Sequence, residues 1–361
     1  MTLFSSAPNS ICILRLSAIG DVCNAVAVIQ MIQAQWPTTN ITWVMGKLEA
    51  QLLGDLKNIE VLTFDKKKGI KGYFDIWSLL KGRKFDALLH MQTALRASVV
   101  SLGINAKYKL GFDNQRSSDM QSFFINHKVT SPNSMHVLDG FRAFALALGV
   151  KDKTLEWDIP IKQQELEWAA QQINGKPTVV IVPAASKAFK NWHEQGYSEV
   201  IEYLIDQGLQ VILAGSPAAI EIELAANICK LTDNKVINLV GQSSLKEMLA
   251  LLQAAKLVIA PDTGPAHMAV AVNTPVIGLY AHHNPQRTGP YNYRDYVVSV
   301  YQEAIEEETG KTLSELSWRS RVKDSSAMKR IKAADVIAMF DKVKVDFSIK
   351  GTVQKGNNND S

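Results

Sequence analysis

From Thr178 onward the chain repeats one pattern: a short apolar run, a turn, then a helical stretch. TVVIVPA leads to a helix near Tyr197 to Gln207, and LQVILAG to one near Ile220 to Leu231. VINLVG leads to SLKEMLALLQAA, KLVIAPD to GPAHMAVAVN, and TPVIGLY closes the series. Runs of Val, Ile and Leu that are apolar at every position are strands buried on both faces. Alternation with helices makes them a parallel sheet, doubly wound, whose ligands sit outside the carboxyl ends of the strands.

The first half repeats the pattern less regularly. ICILRL (Ile11 to Leu16), ITWVMG, DALLHM and YKLGF read as strands. DVCNAVAVIQMIQAQW reads as a helix ended by Pro37, QTALRASVVSLG as another, and HVLDGFRAFALALGV as a third that stops at Gly149. A polar stretch from Lys151 to Lys176 separates the halves. The expected fold class is α/β: two doubly wound Rossmann-like domains with an interdomain cleft. The boundaries are 1–160 and 161–326, followed by a C-terminal helix over 327–345 and a disordered tail over 346–361.

Charge is uneven. Of the net +4, residues 1–160 carry +5, from 18 Lys and Arg against 13 Asp and Glu. KKKGIK (Lys66 to Lys71) and KGRK (Lys81 to Lys84) supply much of it. Such clusters are either a solvated face or an attraction for an anionic partner or lipid headgroups. They lack the interleaved aromatics of a nucleic-acid stacking platform, so no nucleic-acid partner is expected. The N-terminus lacks a signal-peptide pattern, and no apolar run reaches the ~20 residues of a membrane span. Three scattered cysteines, Cys12, Cys23 and Cys229, suggest a reducing compartment. A cytoplasmic protein able to visit a membrane surface is expected.

Four stretches concentrate chemistry where a strand ends. In PDTGPAHMAV, Asp262 and Thr263 are placed to cap a helix that begins near Gly264 or Pro265. Alternatively Gly264 lets the backbone approach an anion, the helix amides face it, and Thr263 and His267, four apart, donate further bonds. In VPAASKAFKNWHEQGY, Ser186, Lys187, Lys190 and Trp192 offer a hydroxyl, two cations and an indole. The alternative there is solvated lysines with Trp192 as a core anchor. In RLSAIGDVCNAV, Asp21 either favours a helix dipole by ~0.3–1 kcal/mol or acts as a base at the sheet mouth. In YAHHNPQRTGPYNYRDY, His282, His283, Arg287 and Tyr291 offer cations and a stacking ring. No ligand spacing for a metal appears, nor a P-loop, GxSxG, HExxH or GxGxxG pattern, so neither metal nor cofactor is expected.

From about Ile11 to Phe340 the chain resembles glycosyltransferase family 9, the heptosyltransferases of the lipopolysaccharide inner core. SAIGD (Ser17 to Asp21) matches the family's first-strand turn with Gly-Asp. Ser186, Lys190 and Trp192 match its hydroxyl and Lys-x-Trp loop. Asp262, Thr263, Gly264 and His267 match its Asp-[Ser/Thr]-Gly-x-x-His, and Thr288 to Tyr291 approximate its Gly-Pro-Tyr loop. The resemblance implies a GT-B fold and an inverting, metal-independent transfer of heptose from ADP-L-glycero-D-manno-heptose. The acceptor would be lipid A bearing Kdo, or a heptosylated core, reached at the cytoplasmic face of the inner membrane.

On the same resemblance Asp21 is the general base, and Lys190 stabilises the leaving diphosphate. Ser186, Lys190, Glu221, Asp262, Thr263, Gly264 and His267 form the donor side. Arg96, Lys66, Lys67 and Lys68 form the acceptor side. The chain departs from the family in VCNAVAV after Gly-Asp, where a Thr-Pro pair is common, in His90, where an acid is common, and in Ala185, where a hydroxyl is common. Two other functions compete: a nucleotide-sugar epimerase or hydrolase on the same fold, and a non-catalytic glycolipid-binding member. Sugar rearrangement without acceptor would mark the first, and the intact Asp21, Lys190 and Asp262 speak against the second.

Overall fold

The computed structural model describes residues 2–352. The chain forms two compact units, residues 1–160 and 161–361. The first runs β1 (Ser10–Leu14), α1 (Ile19–Gln35), β2 (Asn40–Gly46), α2 (Lys47–Leu53), β3 (Ile59–Phe64), α3 (Ile70–Leu80), β4 (Phe85–His90), α4 (Leu95–Ser101), β5 (Ala106–Gly111), β6 (His127–Lys128) and α5 (Val137–Leu148). Its six strands are parallel, in the order β3-β2-β1-β4-β5-β6.

The second unit runs α6 (Gln163–Ile173), β7 (Thr178–Ile181), α7 (Glu194–Asp206), β8 (Gln210–Leu213), α8 (Ala219–Leu231), β9 (Ile237–Asn238), α9 (Leu245–Ala254), β10 (Leu257–Pro261), α10 (Gly264–Ala271), β11 (Val276–Tyr280), α11 (Pro285–Thr288), β12 (Val297–Ser299), α12 (Tyr301–Thr309) and α13 (Ala333–Asp346). Its parallel sheet is ordered β12-β11-β10-β7-β8-β9. Both orders are 3-2-1-4-5-6 within their units. The strand order therefore reverses between β1 and β4 in one sheet and between β7 and β10 in the other, and such switch points are where doubly wound sheets bind ligands.

Local chemistry explains the elements. Strand β1 is buried at four of its five residues, and β7, β10 and β11 at all of theirs, as parallel strands covered on both faces require. Helix α1 is apolar almost all round and is buried along most of its length. It ends before Trp36, the residue whose helical conformation Pro37 disfavours. Helix α5 ends at Gly149, whose φ of 110° needs glycine; a Cβ there would stand 2.2 Å from the Phe4 carbonyl oxygen.

The polar stretch expected to separate the halves contains a helix, α6, which buries Glu165, Ala169 and Ile173 on one stripe. The expected helix over 327–345 is two pieces. Ala327–Arg330 is a single 3-10 turn, and α13 begins only at Ala333. Between them the Ile331 carbonyl accepts from the Trp192 indole, which diverts it from a helical ladder. Nor does the tail fall loose at 346. Ile349 is buried in the core, and Thr352 donates its N–H to the Gly208 carbonyl oxygen at 2.9 Å. The remainder of the expected disordered tail, 353–361, lies outside the described residues. No helix among the described residues is long and apolar enough to cross a membrane.

Candidate active site

In the second unit the two-residue turn after β10, Asp262 and Thr263, carries the chemistry. Thr263 is the N-cap of α10, with extended backbone, and Pro265 lies in the first turn. Neither capping expectation holds: the Thr263 side chain makes no cap bond, and the Asp262 carboxylate is engaged elsewhere. Asp262 Oδ2 accepts from Lys190 Nζ at 2.7 Å and from His283 Nδ1 at 2.5 Å. Lys190 Nζ also reaches the Asp262 carbonyl oxygen at 3.2 Å. Burial pushes the Asp262 carboxyl up; the His283 hydrogen bond and the Lys190 charge outweigh it and hold the group well below the ordinary carboxylate range. His267 is buried on α10 behind this turn.

Lys190 comes from a 3-10 turn, Ala188–Lys190, in the loop after β7. That loop is pinned by Asn191, whose Oδ1 accepts the Ala185 N–H at 2.8 Å. Ser186 lies exposed at its outer bend. Trp192 is the core anchor rather than a ligand contact: it is 1% exposed, packs on Tyr197, and donates to Ile331. The loop after β11 approaches the same turn through His283. His282 is buried against Phe189, with ring centroids 4.7 Å apart, and its Nδ1 is 3.1 Å from the Val322 carbonyl oxygen. The Arg287 guanidinium lies over the Trp318 ring.

Glu221 stands in the first turn of α8, where it closes the β8–α8 loop. Its two oxygens accept from Ser216, from the N–H at 2.7 Å and from the hydroxyl at 2.5 Å. Its carboxylate therefore stiffens that loop.

The first unit's switch point presents a second acid. Asp21 lies in the first turn of α1. Its Oδ2 pairs with the Arg15 guanidinium and accepts the Ala18 N–H at 3.3 Å. Oδ1 has no partner among the described residues, and the side chain is 32% exposed. Arg15 is fixed in turn, donating to the Met91 carbonyl oxygen at 2.6 Å and lying over the Phe141 ring. Gln92 accepts the Leu16 N–H at 2.7 Å, tying the ends of β1 and β4 together.

His90, at the end of β4, is fully buried. Its Nδ1 faces the Gln121 amide and its Nε2 the Ser98 hydroxyl, each at 3.3 Å. Burial pulls its imidazole down to about 4, so it stays neutral at ordinary pH and packs. Glu49, on α2, is a further buried acid, and burial pushes its carboxyl up.

The basic cluster is less uniform than its sequence. Lys66–Lys68 form a 3-10 turn capped by Asp65. Lys68 pairs with Asp75 at 2.7 Å, while Lys66 and Lys67 stay exposed without an ion pair among the described residues. Arg96 is exposed in the first turn of α4. Beside the lysines, α3 leaves Ile70 and Phe74 exposed, at 75% and 62%. Among the described residues no group of three or more His, Cys, Asp or Glu side chains is arranged to hold a metal ion.

Charged side chains thus gather at the switch point of each unit, Lys190, Asp262 and His283 in the second and Arg15 and Asp21 in the first. The chain belongs to glycosyltransferase family 9, the heptosyltransferases, whose family model matches residues 73–318. It is 46% identical over 344 residues to the lipopolysaccharide core heptosyltransferase OpsX of Haemophilus influenzae, across 95% of this chain and 99% of that relative. The family 9 glycosyltransferase structure from Veillonella parvula superposes with a TM-score of 0.78 at 19% identity, covering 95% and 99% of the two chains. The Escherichia coli heptosyltransferase WaaC, solved with ADP-2-deoxy-2-fluoro heptose, gives 0.70 at 19% identity, covering 92% and 99%. The fold is the GT-B fold of these neighbours.

Three participants escaped the sequence reading. Arg15 was visible as the one charge inside ICILRL. Asn191 had no signal beyond its place between Lys190 and Trp192. Glu49 sits in KLEAQLL, where helix periodicity does not distinguish a buried acid from a solvated one.

Proposed function

We propose that the protein transfers heptose from ADP-L-glycero-D-manno-heptose to the inner core of lipopolysaccharide, with inversion and without a metal ion. The first unit takes the acceptor, lipid A bearing Kdo or an already heptosylated core, and the second takes the donor. The observation that carries this reading is the Lys190–Asp262 pair at the amino end of α10. There a lysine and helix amides offer fixed positive potential to a diphosphate. Identity of 46% to a named core heptosyltransferase, and a neighbour solved with an ADP-heptose analogue, support the same substrates.

In this mechanism Asp21 Oδ1 takes the proton of the acceptor hydroxyl. The acceptor oxygen attacks the anomeric carbon from the face opposite the diphosphate. The bond from that carbon to the diphosphate oxygen breaks, and its electron pair leaves with ADP. Lys190 and the amides at Thr263 and Gly264 stabilise the charge that develops on the departing oxygen. Thr263 keeps an uncommitted hydroxyl for the same group, and Ser186 offers another from the facing loop.

The test is purified protein with ADP-heptose and a heptose-free core acceptor. One heptose added per acceptor and one ADP released support the reading. Donor rearranged or hydrolysed at the same rate without acceptor would replace it with the epimerase or hydrolase alternative. The same assay with EDTA is expected to keep most of its activity, and loss of turnover restored by Mg²⁺ or Mn²⁺ would sink the metal-free mechanism.

The reaction would take place in the cytoplasm at the inner-membrane surface, where Lys66, Lys67 and the exposed Ile70 and Phe74 would face the phosphorylated acceptor and anionic headgroups. Changing Lys66 and Lys67 together to Gln should raise the acceptor KM and flatten its salt dependence, because exposed charges act over roughly a Debye length of ~8–10 Å. Lys68→Gln alone should change little, since Asp75 already compensates that charge. Acceptor kinetics at two ionic strengths decide, and an unchanged KM and slope would make the cluster a solvated face.

A further inference from the structure

We propose that His283 is a second cation of the donor-diphosphate site, and that its protonation converts the Lys190–Asp262–His283 cluster from neutral to net positive when the diphosphate binds. The proposal rests on the donor reading above and deepens it, since neither the family motifs nor the donor residues named there include His283.

The geometry sets up a charge problem. One carboxylate oxygen, Asp262 Oδ2, serves both Lys190 and His283. With a neutral imidazole, the lysine and the aspartate cancel, and the cluster offers a dianionic diphosphate no net charge. Because Oδ2 can only accept, His283 Nδ1 carries the hydrogen in this contact, and Nε2 is the nitrogen that gains or loses a proton. Among the described residues Nε2 makes no hydrogen bond. A diphosphate oxygen there would find a charge-assisted donor once Nε2 is protonated.

The imidazole is held for this task. Its backbone pairs with Arg321 in an antiparallel bridge, and the next residue, Val322, donates to the His282 carbonyl oxygen at 3.0 Å. Lys190, Asp262, His282 and His283 line one small, half-open pocket with Tyr280 and Met328. The charged and titratable groups around His283 are thus Asp262 from the β10–α10 turn and Lys190 from the β7 loop. His282 on its own loop, Tyr280 on β11, and Arg321 on the paired segment join them. Asp262 alone among them is in contact with its ring.

ADP-ribose is the probe, because its diphosphate is esterified at both ends and does not itself titrate near neutrality. Calorimetry between about pH 6 and pH 8 should show its affinity falling about tenfold or more, with proton uptake in buffers of different ionisation enthalpy. His283→Asn keeps a donor toward Asp262 and cannot titrate; it should bind weakly and equally at every pH, with no proton uptake. Thermal melting checks that this variant is folded. Wild-type affinity that is flat with pH, or a slope and proton uptake retained in the variant, would overturn the proposal. A wild-type protein that binds ADP-ribose at no pH would instead remove the donor reading itself.

Discussion

Asp21→Asn is expected to lower kcat about 10²–10⁴-fold, the usual contribution of a positioned general base, while leaving donor KM unchanged. The structure divides the labour of this carboxylate. Oδ2 is held by the Arg15 guanidinium and the Ala18 N–H, and Oδ1 is left facing out. Asparagine preserves the shape and can keep the contact to Ala18 through its carbonyl oxygen. What it cannot do is accept a proton. If Asp21 served only the helix dipole, its loss would cost ~0.3–1 kcal/mol of stability and leave turnover intact. Steady-state kinetics beside a thermal melt separate the two: normal kcat with a lowered Tm would return Asp21 to a helix-start residue. The pairing also makes Arg15 a positioning residue, since its own hold on the Met91 carbonyl oxygen ties the acid to the end of β4.

Much of this was legible because parallel sheets write themselves plainly. Continuous apolar strands, Pro37 after α1 and Gly149 after α5 placed the elements within a few residues. The strands also ordered the motifs, since each chemistry-bearing stretch follows one. Short or amphipathic elements were harder. Strand β3 mixes exposed and buried positions, β6 has only two residues, and α6 hides in a stretch rich in Gln and Glu with one narrow buried stripe. The site was legible as residue types and not as pairings. Nothing in PDTGPAH says that Asp262 turns away from its own helix amides toward a lysine 72 positions earlier and a histidine 21 positions later. Capping is a local competition that sequence can describe; a partly buried ion pair across three loops is settled by tertiary packing. The same limit made Lys66, Lys67 and Lys68 look alike, although Asp75, on the next turn of chain, compensates only the last.

Lys190→Met should reduce kcat about 10²–10³-fold, as the loss of a preorganised charge contact to a developing anion does, and should raise donor KM as well. Two effects combine in this variant. The cation that meets the diphosphate is gone, and Asp262 keeps its negative charge in a confined place with only His283 beside it. A buried carboxylate stripped of one partner repels the incoming diphosphate and destabilises the fold around it. The two effects separate in a double-mutant cycle. Lys190→Met with Asp262→Asn removes the stranded charge together with its partner, so the pair should be less impaired in donor binding than Lys190→Met alone. Residues in direct contact are where such non-additivity is expected. If Lys190 were instead a solvated loop lysine, its removal would leave kcat and KM alone and the cycle would be additive. Donor binding and turnover measured on the wild type, the two single variants and the double variant therefore test one idea: that the acid at the end of β10 holds Lys190 against a helix amino end, where a leaving diphosphate needs it.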